Sequence, residues 1–171
     1  MPVMPTAYPY KGQWPTVHSS CCVAPGVAIV GQVDLGPRVS VWFNAVVRGD
    51  GGSIVIENET NIQDCAVVHC LAGGSVLIGR RVSIGHNAVI HGCTIEDRVL
   101  VGIGAIIMDG AVVKSGTVIG AGAVVTQGQI CEPGLYMGVP ARRHDLPADV
   151  EKMIDITAER YVKYAQEYLR A

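Results

Sequence analysis

The chain has 171 residues, 49% apolar, 16% charged and only 5% aromatic, with a formal net charge of −2. That length suits one structural domain with a real core, and the core must be aliphatic. A near-neutral balance with no basic cluster argues against nucleic acid or an anionic membrane as partner.

Residues 1–22 carry no periodic pattern and are expected to form an irregular N-terminal cap. They show no cationic start followed by an apolar run, and the most apolar stretch, 99–108, is interrupted by Gly102 and Gly104. Six cysteines, at 21, 22, 65, 70, 93 and 131, include no Cys-x-x-Cys pair. The expectation is a cytoplasmic protein with free thiols.

From Val23 an aliphatic residue recurs every six positions, at Ile29, Leu35, Val41 and Val47. The series resumes at Ile56, Ile62 and Val68, then at Ile78, Ile84 and Ile90, and runs from Ile95 to Val125. Small or β-branched residues such as Val39, Ala45, Ala66 and Ala88 stand four places later. A helix needs apolar spacings of three and four, and a half-buried strand needs alternation of two. Period six instead describes short edges joined by turns, each edge sending one aliphatic inward. With three edges to a coil, residues 23–130 make between five and six coils stacked at about 4.8 Å, the interstrand spacing. This resembles the hexapeptide-repeat left-handed β-helix, an all-β solenoid. The repeat ends at Cys131-Glu132-Pro133-Gly134, and residues 131–171 hold a connecting segment and a C-terminal α-helix. Its apolar residues Met153, Ile156, Tyr161, Tyr164, Ala165 and Tyr168 fall near helical spacing, so it packs along the prism or against a neighbour.

The repeat breaks around three histidines. Nine residues separate Val47 from Ile56, ten separate Val68 from Ile78, and five separate Ile90 from Ile95. His69 and His91 are 22 residues apart, one coil of 18 plus the four inserted, and therefore stack. By the same count Arg48 lies one coil below His69, and Asp64 one coil below His86. Neighbouring imidazoles in such a column can share a zinc ion at about 2.0–2.1 Å. His86 belongs to the preceding edge, around a corner. It can join the other two only if one subunit's His86 meets a neighbour's His69 and His91, an arrangement that three-fold symmetry completes.

Several motifs are more specific than the repeat. Trp42-Phe43-Asn44-Ala45-Val46-Val47-Arg48-Gly49-Asp50, Asn61-Ile62-Gln63-Asp64, Ile84-Gly85-His86-x4-His91-Gly92-Cys93 and Gly138-Val139-Pro140-Ala141-Arg142 resemble the gamma-class carbonic anhydrase family over residues 10–145. The resemblance implies a homotrimeric lyase with intersubunit metal sites and a small-molecule substrate, carbon dioxide, hydrated to bicarbonate by a zinc-bound hydroxide. His69, His86 and His91 would be the metal ligands, with Zn2+ the usual metal and Fe2+ or Co2+ alternatives. Arg48 would pair with Asp64 across the interface. Gln63 and Asn61 would hydrogen-bond the metal-bound solvent, and Tyr136 would approach from the segment after the repeat. The chain departs from the family at Gly51, where members carry a glutamate, and at 71–76, which holds no carboxylate where they carry an acidic loop. The missing shuttle glutamates imply slow proton export, with Asp50 or Glu57 as substitutes. The competing readings are a metal-hydroxide hydrolase of thioesters and a noncatalytic trimeric metal-binding scaffold.

Overall fold

The computed structural model describes residues 6–170; residues 1–5 of the expected cap and Ala171 lie outside them. The chain winds into a parallel left-handed β-solenoid of about seven turns, with a C-terminal helix, α1 (Ala148–Tyr168), laid along it. Three columns of aliphatics fill the prism. Val41, Ile62, Ile84, Val101 and Ile119 stack in register on the first face. Val47, Val68, Ile90, Ile107 and Val125 do so on the second, and Leu35, Ile56, Ile78, Ile95 and Val113 on the third. None of these is more than 1% exposed. Repeat and fold are thus one fact: every edge buries its own aliphatic, so each missing or inserted residue shows as a break in period.

The solenoid has more rungs than the aliphatic pattern announces. Ala7–Tyr8 and Thr16–Val17 pair in parallel with Ala28–Leu35, inside the segment expected to be an irregular cap. At the other end Leu135–Met137 adds a rung beyond the Pro-Gly break, with Tyr136 beside Ile119. The first two rungs cover one end of the stack and the last fills its inner slot with Tyr136, so none of them carries the six-residue aliphatic signal.

The second and third faces are joined by Val46–Ile56, an eleven-residue strand. Its first half pairs with Val67–His69 and its second half with Ser75–Ile78. The three extra residues between Val47 and Ile56 let the chain pass this corner without a tight turn. Arg48, His69 and His91 lie beside that corner.

Helix α1 covers the first face. Ile154, Ala158 and Ala165 are buried, while Met153, Ile156 and Tyr164 remain exposed. The docking stripe is therefore rotated from the one the bulky apolar residues suggested. Small side chains let the helix axis approach the sheet, and larger ones stay on the outer side. Tyr161 and Tyr168 stand edge-on to Trp42, with ring centroids 5.3 and 5.2 Å apart.

A charged column fixes the helix at the corner between the third and first faces. Arg38, Glu59, Arg81 and Arg98 occupy left-handed turn positions, φ 54–59°, and their backbones hydrogen-bond from coil to coil. Arg98 Nη2 meets Asp155 at 2.8 Å, and Arg81 reaches both Asp155, at 3.3 Å, and Glu159, at 3.1 Å. The hydrogen bond from Arg98 holds the Asp155 carboxyl below its usual range, against burial and with help from Arg81. A carboxyl whose folded-state pKa is lowered contributes stability above its ordinary titration range, lost as pH falls through the lowered value. Exposed pairs of this kind contribute about 0.2–1 kcal/mol. Asp155→Asn is expected to speed hydrogen exchange of α1 amides about two- to fivefold at pH 7. The difference from the parent should vanish in about 1 M salt and as the pH drops below the carboxylate range. Equal exchange at low salt and neutral pH would show that apolar packing alone seats the helix.

Among the described residues no helix is long and apolar enough to cross a membrane.

Candidate metal centre

Two clusters of polar side chains stand at two corners of the prism, one at either edge of the second face. At the far corner the register places Arg48 beside His69 and His69 beside His91. The imidazoles of His69 and His91 tilt toward each other, with centroids 5.2 Å apart, and His69 Nδ1 lies 3.2 Å from His91 Nε2. Their remaining nitrogens are held by carboxylates: His69 Nε2 by Asp50 at 3.1 Å and His91 Nδ1 by Asp109 at 2.9 Å. Arg48 pairs with the second oxygen of Asp50 at 2.6 Å. Burial works against the Asp50 carboxylate, but hydrogen bonds from Arg48 and His69 outweigh it and hold the group below the usual carboxylate range.

At the near corner His86 Nδ1 meets Asp64 at 2.8 Å. Its Nε2 lies 3.5 Å from the hydroxyl of Tyr161, on the helix. Burial, assisted by Asp64, pushes the Tyr161 phenol up, so it stays protonated at neutral pH. Gln63 and Asn61 are buried under the helix on the same side. Gln63 Nε2 donates to Asn61 Oδ1 at 3.0 Å, and Asn61 Nδ2 donates to Ser83 Oγ at 2.8 Å.

This donor set fits a divalent metal. Each of the three histidines has one ring nitrogen on an aspartate, which directs the other nitrogen's lone pair away from it: those of His69 and His91 toward each other, that of His86 toward the Tyr161 hydroxyl, which a metal would displace. Two nitrogens bound to tetrahedral zinc at about 2.05 Å stand about 3.3 Å apart, close to the observed 3.2 Å. Among the described residues no three metal-ligating side chains converge within one chain. His86 stays at its own corner. Within the chain, Arg48 pairs with Asp50 and Asp64 with His86, so each of the two residues expected to meet across an interface has an internal partner.

Tyr136 is not brought to either cluster. It is 4% exposed and fills the inner column beside Ile119, three rungs above Ile84. The aromatic ring closes the end of the core, and within the chain it touches neither cluster. Glu57 is also remote, lining a groove on the third face with Arg80 and Ser115. Cys70 and Cys93 lie near the histidines in sequence, yet both point into the core, and burial pushes the Cys93 thiol up to about 12. Neither offers a thiolate.

Two residues of the clusters were not singled out by the sequence. Asp109 is detectable by counting 17 residues on from Gly92, because the five-residue step at Ile90 shortens that coil by one. Tyr161 has no such signal, since its place depends on how the helix docks.

A family model described as bacterial transferase hexapeptide (six repeats) matches residues 92–127. A Methanocaldococcus jannaschii protein named "Probable carbonic anhydrase" is 58% identical over 146 residues, covering 84% of this chain and 92% of that one. Gamma carbonic anhydrase 2, mitochondrial, of Arabidopsis thaliana is 44% identical over 101 residues, 56% of this chain and 36% of that longer protein. Among solved structures, a hexapeptide transferase family protein from Anaplasma phagocytophilum superposes with a TM-score of 0.92 at 36% identity, over 95% of this chain and 98% of that one.

Proposed function

The chain belongs to the gamma-class carbonic anhydrase family, and from that premise we propose that it hydrates carbon dioxide to bicarbonate at metal sites shared between subunits of a cytoplasmic homotrimer. The observation that carries this reading is the set of three histidines, each with one nitrogen on an aspartate and the other turned away from it, His69 and His91 toward each other and His86 toward the Tyr161 hydroxyl. In the trimer, His69 and His91 of one subunit and His86 of the next hold the metal. The face between the two corners supports this assembly. Its outward residues Val67, Val89, Ile106 and Val124 are half-buried aliphatics, and Ile103 and Met108 beside them are exposed, an apolar surface suited to a second copy. Zinc is the proposed metal, with Fe2+ or Co2+ as alternatives.

Zinc supplies there the Lewis acidity that makes water a nucleophile near neutral pH. The protein's own groups do the rest. Asp50, Asp64 and Asp109 keep the distal imidazole protons in place and fix the three ring planes. Gln63 commits its Nε2 to Asn61, which leaves Oε1 to accept a hydrogen bond and orient the attacking group without taking its proton. The Arg48 guanidinium keeps Asp50 ionised. A carboxylate whose proton affinity is lowered in this way anchors His69 and is a weaker proton acceptor than an ordinary one. With Gly51 in place of the family's glutamate and Glu57 on another face, proton export falls to solvent buffer.

The hexapeptide-transferase match reads the inward aliphatic slots, which prism enzymes share whatever their chemistry. Stopped-flow carbon dioxide hydration with zinc-loaded and anaerobically iron-loaded protein tests the proposal, beside a panel of thioesters. Turnover is expected to rise about 10-fold or more between a few millimolar and about 50 mM imidazole buffer, since the protein supplies little proton transfer of its own. Hydrolysis of thioesters alone would move the reading to acyl chemistry. Neither activity at full metal occupancy would leave a scaffold.

A further inference from the structure

Gly92 ends the strand Val89–His91 with a φ of +54°. That conformation does not by itself call for glycine in this solenoid. Cys65, Arg81, Asn87 and Arg98 adopt the same left-handed turn at φ 54–60°. What sets Gly92 apart is its neighbour in the next coil. Ile90 pairs with Ile107, and the Gly110 N–H donates to the Gly92 carbonyl at 2.7 Å, so Asp109 sits opposite Gly92 rather than opposite His91. From there its carboxylate crosses Gly92 to accept from His91 Nδ1 at 2.9 Å. A Cβ on Gly92 would overlap the Asp109 Oδ1 and lie 3.1 Å from its Cγ. The absent side chain is the path the carboxylate takes.

We infer that Gly92 and Asp109 form one positioning unit that fixes the tautomer and tilt of His91, so that Nε2 is the nitrogen presented to a divalent cation. The inference rests on the reading of His91 as a ligand. Asp109 accepts a hydrogen bond from Nδ1–H and so keeps the proton on that nitrogen, and the lone pair on Nε2 then faces His69 Nδ1, 3.2 Å away. Without the carboxylate either nitrogen carries the proton with comparable ease, and part of the population presents an N–H where a lone pair is needed. Asp109 touches neither metal nor substrate and acts through His91.

The test uses Asp109→Ala, Gly92→Ala, their double variant and Asp109→Asn. Zinc affinity is read by competition with a chromophoric chelator, and the His91 tautomer by nitrogen-15 NMR of zinc-free protein. Each alanine variant is expected to weaken zinc binding about 10- to 100-fold. The double variant should lose no more than either single, because both changes break one contact. Asp109→Asn keeps an acceptor oxygen and should recover most of the affinity. In zinc-free Asp109→Ala the His91 signal should move from the Nδ1–H form to a mixture. Parental zinc affinity in Asp109→Ala, an unchanged tautomer, or losses that multiply in the double variant would each overturn the inference. The ligand reading fails separately, if His91→Ala binds zinc as tightly as the parent, and the zinc-free tautomer still decides Asp109's role in that case.

Discussion

Replacing His86 by alanine is expected to strip the metal from every site of the proposed trimer while leaving each prism intact. Zinc content should fall from about one equivalent per chain to near none, since a site built on three imidazoles is left with two. The side chain is half-exposed at a corner and contributes nothing to the aliphatic columns, so melting of the zinc-free variant should differ little from that of the zinc-free parent. The sharper form of the experiment mixes chains. A His86→Ala chain and a chain carrying both His69→Ala and His91→Ala are each unable to form a site with a copy of itself. In a mixed trimer of cyclic symmetry, one seam in three joins an intact His86 to an intact His69 and His91. Recovery of about a third of the metal in mixed trimers is the expected result. Metal retained at one equivalent per chain by His86→Ala would exclude a shared site, and no recovery in verified mixed trimers would do the same.

Restoring the family's glutamate by Gly51→Glu is expected to cost stability and to bring no gain in turnover at low buffer. The two insertions of the repeat stack on one another here. The Gly73 N–H donates to the Gly51 carbonyl at 2.8 Å, and a Cβ on Gly51 would overlap the Cys70 carbonyl oxygen and lie 2.9 Å from Leu71 backbone atoms. Gly52 is closed in the same way by the Gly74 carbonyl. Backbone, unlike the tip of a long side chain, cannot swing aside, so the loop 71–74 must lift off. Overpacking of this kind costs about 1–3 kcal/mol, or a melting shift of about 2–12 °C for a chain of this size. In this chain the loop as placed leaves no room for a side chain at position 51. With the backbone of 70–74 placed as it is here, a single substitution at Gly51 does not return the carboxylate without moving that loop. A rise in low-buffer turnover with an unchanged melting temperature would show that the loop yields freely.

Much of this architecture was legible in the sequence for a simple reason. A solenoid repeats one packing problem at every edge, so Ile62, Ile84, Val101 and Ile119 are four solutions to the same demand, and their spacing is the coil itself. Breaks in that spacing were equally readable. Counting through the insertions put Arg48, His69 and His91 in one column, where the backbone register has them. Tyr136 entered through the family resemblance and not through counting, and its rung places the ring in the inner column of the last coil. The terminal rungs at Ala7–Tyr8 and Thr16–Val17 were invisible because an end cover has no aliphatic slot to fill.

By itself the sequence determined the coil, its three-sided section, the two corners bearing histidine and the positions where the period fails, because each follows from backbone length per turn and from which residues water rejects. Contacts between segments far apart in the chain were decided only by the tertiary structure. The azimuth of α1 that brings Tyr161 to His86, the carboxylate of Asp109 reaching across Gly92, and the loop that closes Gly51 all depend on side-chain reach between packed backbones. Such distances, a few ångströms either way, leave no periodic trace in the order of residues.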